Sequence, residues 1–249
     1  MSALILALTA GAVVGLALGA LGGGGSVLAV PALIYLLGFS PAAATTAGLI
    51  IVTATSATAL YAHARAGHVR WKAGTAFAAA GLIPAALAGA AATRLPQPVL
   101  TAAFAVIAAL AAARMLRPTP PSTTTGQRVR PVKAAGIGAG LGALTGLLGV
   151  GGGFLAVPAL VTVLAFEMQA ATGTSLLVIT ANSLASLMTR SGGAAGLDWA
   201  LIGPFTGAAV LGAWDGKRLA AKVSGPLLQR VFAAVLLTVA AWMLLDACV

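Results

Sequence analysis

The stretch Gly22-Gly23-Gly24-Gly25-Ser26-Val27-Leu28-Ala29-Val30-Pro31-Ala32-Leu33 returns later in the chain as Gly149-Val150-Gly151-Gly152-Gly153-Phe154-Leu155-Ala156-Val157-Pro158-Ala159-Leu160. Both copies place Leu-Ala-Val-Pro-Ala-Leu directly after a glycine cluster. The offset of 127 that relates them also pairs Thr45 with Thr172, Thr53 with Thr180 and Ser56 with Ser183. One added residue carries the register on to Trp71 and Trp199, Phe77 and Phe205, Pro98 and Pro226, and Phe104 and Phe232. A self-offset held over such a length marks two copies of one structural unit. The first repeat is 1–117 and the second 134–249; between them 118–133, opening on Pro118, Pro120, Pro121 and Thr123 to Gly126, has the composition of a linker.

Composition places this unit in lipid. The chain is 60% hydrophobic and 7% charged, with a mean hydropathy of +1.04, so it has too few charges to cover a soluble surface. Apolar segments run at 3–21, 27–38, 42–63, 73–93, 98–114, 134–148, 154–166, 170–189, 199–214 and 226–245, several near the ~20 residues of a spanning helix. They are rich in Ala, Leu and Gly and do not alternate polar with apolar, which argues against a barrel. The expected fold is all-α and polytopic, because a helix satisfies its own backbone polar groups in hydrocarbon. The net charge of +10 sits between the apolar segments rather than on one face. It therefore reads as topology signal and headgroup contact, not as a nucleic-acid interface. The first segment has no Lys or Arg ahead of it, unlike a signal peptide, and Cys248 is the single cysteine.

Charge also orients the halves. Arg65, Arg70 and Lys72 cluster at 65–72, five basic residues lie in 114–133, and Lys217, Arg218 and Lys222 lie at 215–222. The counterparts at 94–97 and 190–198 are nearly neutral. The positive-inside rule puts the basic segments in the cytoplasm, and 94–97, 190–198 and the C-terminus outside. Each half has five segments, an odd number, so the repeats are expected to be inverted.

Inverted repeats with a broken helix near each start are a plan of secondary transporters. Consecutive glycines cost about 1 kcal/mol each inside a helix, so the helix is expected to break there and resume near Val27 and Phe154. Its free amides would then face an anion. Pro31 and Pro158 fit early-helix positions. Gly11, Gly15 and Gly19, with Gly138, Gly142 and Gly146, have the four-residue spacing of close helix packing. The third segments carry the hydroxyls: positions 172, 175, 179, 182, 183 and 186 trace one helical face. Small hydroxyls there either line an anion path or bond their own carbonyls, while Asn182 must find a partner. The substrate-binding candidates are Gly24, Gly25, Ser26, Gly152 and Gly153 at the breaks, and Thr45, Thr46, Ser56, Thr174, Ser175, Asn182 and Ser183 on the third segments. His63 and Arg190 occupy equivalent ends and are candidates for steering anions, against the plainer reading that both anchor helix ends at the headgroups. Glu167, Asp198, Asp215 and Asp246 lie at segment ends or in loops, which leaves no mid-segment carboxylate for proton coupling. Neither a nucleotide-binding loop nor a hydrolase or metalloprotease motif occurs, so no cofactor and no enzymatic activity are expected.

The second glycine motif, followed by Ala171-Thr172-Gly173-Thr174-Ser175-Leu176, resembles the signature of the TauE/SafE family of sulfite and organosulfonate exporters, and the resemblance covers essentially the whole chain. It implies a multi-pass permease of a prokaryotic plasma membrane, made of two related halves and moving small sulfur-containing anions. The first half reads Thr45-Thr46-Ala47-Gly48-Leu49 at the matching place, which argues against a symmetric two-sided site. The expected function is export of a small oxyanion, sulfite or an organosulfonate, by alternating access without ATP hydrolysis. Thiosulfate, a carboxylate, or a non-transporting assembly subunit are the alternatives. The expected partners are that anion and the bilayer, with homo-oligomerisation left open.

This topology is testable with single cysteines in a Cys248→Ser background and an impermeant thiol reagent. Cysteines at 190–198 should label from outside and those at 65–72 should not; labelling of both from one side would contradict the inversion.

Overall fold

The computed structural model describes residues 2–22, 24–92, 153–162, 166–189 and 197–248, with 105–106, 109–110, 112–113, 116, 136 and 138–143 between them. Among the described residues every regular element is helical: α1 (Ser2–Leu21), α2 (Gly24–Pro31) running into a π-turn (Ala32–Leu36), α3 (Pro41–Arg65), α4 (Trp71–Ala92), α5 (Gly153–Thr162), α6 (Met168–Thr189), α7 (Trp199–Ala220) and α8 (Gly225–Cys248). Stretches in α1, α3 and α6 meet the length and hydropathy needed to cross a membrane. The linker 118–133, Gly152 and Arg190 lie outside the described residues.

Local chemistry accounts for the boundaries. Ser40 caps α3, its Oγ accepting from the Ala43 amide at 3.3 Å, and Pro41 follows at the first helical position, where its missing N–H costs little. Asp198 caps α7 by accepting from Ala200 N at 3.0 Å. Between α1 and α2, Gly22 adopts φ +68°, a left-handed conformation that favours glycine.

Several expected boundaries need correction. The helix after the first break resumes at Gly24 rather than Val27, because once Gly22 has turned the chain the next glycines can take helical angles at modest cost. Pro31 is therefore the last residue of α2, not an early one, and the chain continues past it as a π-turn. The wider spacing of that turn accommodates a ring that cannot donate. The eight residues of α2 and five of the π-turn cover about 20 Å, short of a ~30 Å hydrocarbon core. Further along, α7 extends to Ala220, so Asp215, Lys217 and Arg218 belong to its final turns rather than to a 215–222 loop. Basic residues in a last turn complement the helix dipole.

The dominant packing joins the two halves. Along α1, Gly11, Gly15 and Gly19 face the carbonyls of Phe205, Ala209 and Ala213 on α7 so closely that a Cβ at any of them would overlap carbonyl oxygen. In return, Gly212 and Gly216 of α7 lie against the backbone of Ala12 and Leu16. The register rises together on both helices, so they run parallel. The same contact recurs with the halves exchanged: a Cβ on Gly138 would come 2.7 Å from the Phe77 carbonyl oxygen, and Gly142 faces Gly81 of α4. The equivalent residues Phe77 and Phe205 are both fully buried, each in its own apolar cluster. Such small-residue seams are expected in lipid, where association depends on close packing rather than on hydrophobic exclusion.

The third segments of the two repeats, α3 and α6, cross antiparallel. Ser56 Oγ and Thr180 Oγ1 lie 2.9 Å apart, while towards the C-terminal end of α3 His63 packs beside Gly173, near the start of α6.

The α1–α7 seam predicts a sharp contrast between two glycines. Gly15→Ala must displace a backbone and should cost roughly 1–3 kcal/mol by overpacking. Gly207 has open space where a Cβ would stand, with nothing within 4 Å, and should accept alanine with little change. Thermal unfolding and monodispersity in detergent would measure the difference; equal stability would remove the seam from its structural role.

Candidate functional site

The break between α1 and α2 is seated on the first turns of α6. A Cβ at Gly22 would lie 2.8 Å from Ser175 Oγ and 3.1 Å from Thr172 Cα. The turn that leads into α2 is therefore packed on the hydroxyl-rich start of the second repeat's third segment. The last turns of α1 carry no polar side chain, but Gly19 contributes its carbonyl oxygen, which accepts from His63 Nε2 at 3.3 Å. A carbonyl can only accept, so in the neutral ring this contact puts the proton on Nε2 and leaves Nδ1 as an acceptor.

Four elements thus converge at one end of the bundle. The connector between α3 and α4 brings His68, whose ring centroid is 6.0 Å from that of His63, and the Arg70 amide, which donates to Thr174 Oγ1 at 3.1 Å. Gly173 fits under the His68 carbonyl, where a Cβ would sit 2.8 Å from its oxygen. Lys217, from the last turns of α7, donates to the Ala62 carbonyl at 2.5 Å. His63 is 3% exposed, which corrects its reading as a headgroup anchor: the α1 carbonyl and α6 enclose the ring inside the bundle.

Hydrogen-bond accounting separates the two polar helices. On α3, Thr53, Thr55 and Thr58 donate to the carbonyls of Leu49, Ile51 and Ala54, four residues back, and Ser56 is engaged with Thr180. The self-bonded alternative therefore describes those threonines. On α6, Ser175 donates to the Thr172 carbonyl at 2.8 Å, but Thr172 Oγ1, Asn182 Oδ1 and Ser183 Oγ are buried with no partner among the described residues. Exposures of 1% at Thr172, 3% at Asn182 and 0% at Ser183 leave them no bulk water. An unmet buried polar group costs about 1–3 kcal/mol, so their clustering on one helix face is informative. His63 Nδ1 and His68 Nδ1 share that condition at the same end as Thr172.

Of the residues singled out from sequence, Ser175 lies against the Gly22 turn, His63 bonds Gly19 at the end of α1 and Thr174 meets the α3–α4 connector, while Asn182 and Ser183 lie further along α6 and Ser56 faces that helix at the α3 crossing. Gly24, Gly25 and Gly153 fall in the first turns of α2 and α5, and Ser26 is also in α2. Thr45 and Thr46 sit in the opposite, N-terminal part of α3. Lys217 was legible only as loop charge and His68 was not singled out; nothing in their spacing shows that Lys217 reaches the Ala62 carbonyl or that His68 lies beside His63 and Gly173. Among the described residues no cluster of His, Cys, Asp and Glu is suited to holding a metal.

The surrounding charge is basic. Arg65 stacks its guanidinium 5.9 Å from the centre of the Tyr61 ring, and Asp215 is paired with Arg218 at 3.5 Å on the exposed side of α7.

A family model described as sulfite exporter TauE/SafE matches residues 7–243. Two curated relatives, both called probable membrane transporter proteins, come from Xylella fastidiosa. The one from strain 9a5c is 33% identical over 248 residues, covering 97% of this chain and 95% of the relative. The one from strain Temecula1 / ATCC 700964 is 32% identical over the same shares. No solved structure matches the chain. With its described residues forming a helical bundle that includes helices of membrane-crossing length, and with a family match over residues 7–243, the chain belongs to the TauE/SafE sulfite-exporter family of membrane transporters.

Proposed function

We propose that this chain exports a small oxyanion, with sulfite or an organosulfonate as the leading substrate, across a prokaryotic plasma membrane by alternating access without ATP hydrolysis. The observation that carries this reading is the line of unpartnered polar atoms on α6, from Thr172 to Asn182 and Ser183, beginning where α2 presents its first turn. Free amides at a helix start favour an anion, and hydroxyl and amide groups can take over part of its hydration shell.

In this mechanism the anion meets the basic end formed by the α3–α4 connector and the last turns of α7. It then contacts Thr172, Ser175 and the amides of Gly24 and Gly25, and passes along α6 towards Asn182, Ser183 and the Ser56–Thr180 crossing. The antiparallel crossing of α3 and α6, together with the exchanged glycine seams, supports a multi-pass inverted-repeat architecture, whose halves can rock about a central site. In the second repeat Gly152 and Gly153 would play the part of Gly24 and Gly25 at the opposite mouth, with Thr45 and Thr46 facing them and Arg190 as the counterpart of His63. Export of an anion from a negative interior is downhill by about 2.3 kcal/mol per charge per 100 mV, so the membrane potential suffices as driving force.

A proteoliposome flux assay over sulfite, organosulfonates, thiosulfate and small carboxylates tests the substrate class. Thr172→Val and Asn182→Leu should each weaken transport of the preferred anion, roughly tenfold or more if a hydrogen bond to a charged ligand is lost. Thr58→Val, which removes only a helix-internal bond, should leave flux near that of the parent. Equal flux in all three variants would return the α6 face to a packing role, and absence of flux for every anion would contradict transport itself.

A further inference from the structure

The two nitrogens of His63 are in unequal positions. Nε2 is committed to the Gly19 carbonyl oxygen at 3.3 Å, whereas Nδ1 is buried without a partner among the described residues. The neutral ring therefore offers a bare acceptor to the site, which an anion whose oxygens all accept cannot satisfy. A hydroxyl on the ligand can.

The charged neighbours give no reason to replace that acceptor by an imidazolium donor. The helix α1 contains no ionisable side chain, and α6 has none from Met168 to Thr189. From α7 comes Lys217, bound to the carbonyl of Ala62 next to His63. His63's own helix adds Arg65 and the connector adds His68 and Arg70. Glu167 precedes α6 and is exposed to solvent. No carboxylate on these elements is buried against the ring, so a second cation there would have no counter-ion.

Thr172 supplies the complementary group. Its buried hydroxyl is unpartnered, its backbone lies against the Gly22 turn, and the neighbouring Gly173 lies against His63 Cβ. The Gly22 turn that leads into α2 and the His63 side chain are thus packed against adjacent residues of α6, Thr172 and Gly173.

We infer that this site selects the hydrogen-bearing monoanion of an oxyacid, its O–H donated to His63 Nδ1 and its charged oxygens held by Thr172 and the α2 amides. This rests on the anion-transport reading above and adds to it the protonation state of the cargo. His63 is then a specificity-determining residue, which distinguishes a hydrogen oxyanion from the corresponding dianion.

The test is calorimetric titration of the purified full-length protein with two probes: sulfite, whose monoanion carries an ionisable proton, and methanesulfonate, a monoanion without one. Each is measured on the acid and alkaline sides of sulfite's second ionisation. The parent should bind sulfite about tenfold or more tightly on the acid side, while methanesulfonate should bind equally on both. His63→Gln retains an N–H for the Gly19 carbonyl and an acceptor oxygen, so it should keep the acid preference; His63→Leu should abolish it while leaving methanesulfonate binding in place. Sulfite binding that ignores pH in the parent overturns the inference, as does methanesulfonate shifting in parallel with sulfite, which would trace the effect to titration of the protein. A Gln variant that behaves like the Leu variant also overturns it, since the ring would then act by charge. The parent measurement requires no variant to fold. Binding of neither probe at either pH would instead overturn the anion-site reading, and this inference with it.

Discussion

The backbone contact between α1 and α7 is the constraint on which the site depends. In lipid, apolar side chains gain little by turning from acyl chains to one another, and helices associate through the contact area that small residues permit. Gly11, Gly15 and Gly19 on one helix and Gly212 and Gly216 on the other bring carbonyls and α-carbons together. That approach fixes the depth of α1, and with it the position of the Gly19 carbonyl against His63. Three residues later Gly22 can turn the chain directly onto Thr172 and Ser175. A side chain in the seam would push α1 outward and separate the α2 amides from α6.

The two similar segments α3 and α6 use their polar side chains differently. The α3 threonines close their hydrogen bonds within their own helix, which makes that helix a self-contained support. The matching helix at an offset of 127, α6, carries Asn182 where α3 has Thr55. An amide cannot satisfy all its donors and acceptors on the preceding turn, so Asn182 retains an open acceptor. Asn182 thereby adds unmet polar capacity to the face of α6 that also carries Thr172 and Ser183.

Electrostatics reinforces the same end of the bundle. Lys217 holds a carbonyl near the end of α3, where the helix dipole presents partial negative charge, and so anchors α7 to α3. The neighbouring Arg70 contributes its backbone amide to Thr174 and is itself exposed. The result is a basic approach leading to a buried interior with histidine, hydroxyl and amide groups but no carboxylate among the described α6 residues.

Sequence alone determined the internal similarity at an offset of 127, the helical class and the family, and it singled out Gly11, Gly15, Gly19, Gly138 and Gly142 among the packing glycines but not Gly81, Gly212 or Gly216. Each follows from short-range or periodic physics: apolar length for spanning, four-residue spacing for close approach, and consecutive glycines for a break. It also singled out the face of α6 carrying residues 175, 182 and 183. Tertiary structure alone decided which helix the α1 glycines meet, that the Gly22 turn rests on Thr172, and that His63 turns inward to a carbonyl 44 residues away. It also moved Lys217 and Arg218 from a loop into a helix and showed which hydroxyls are already satisfied. Periodicity records how much of a helix must be covered, but not by what. Apart from His63 and Gly19, these partners come from opposite halves of the chain, brought together by backbone surfaces whose glycines look alike in every seam.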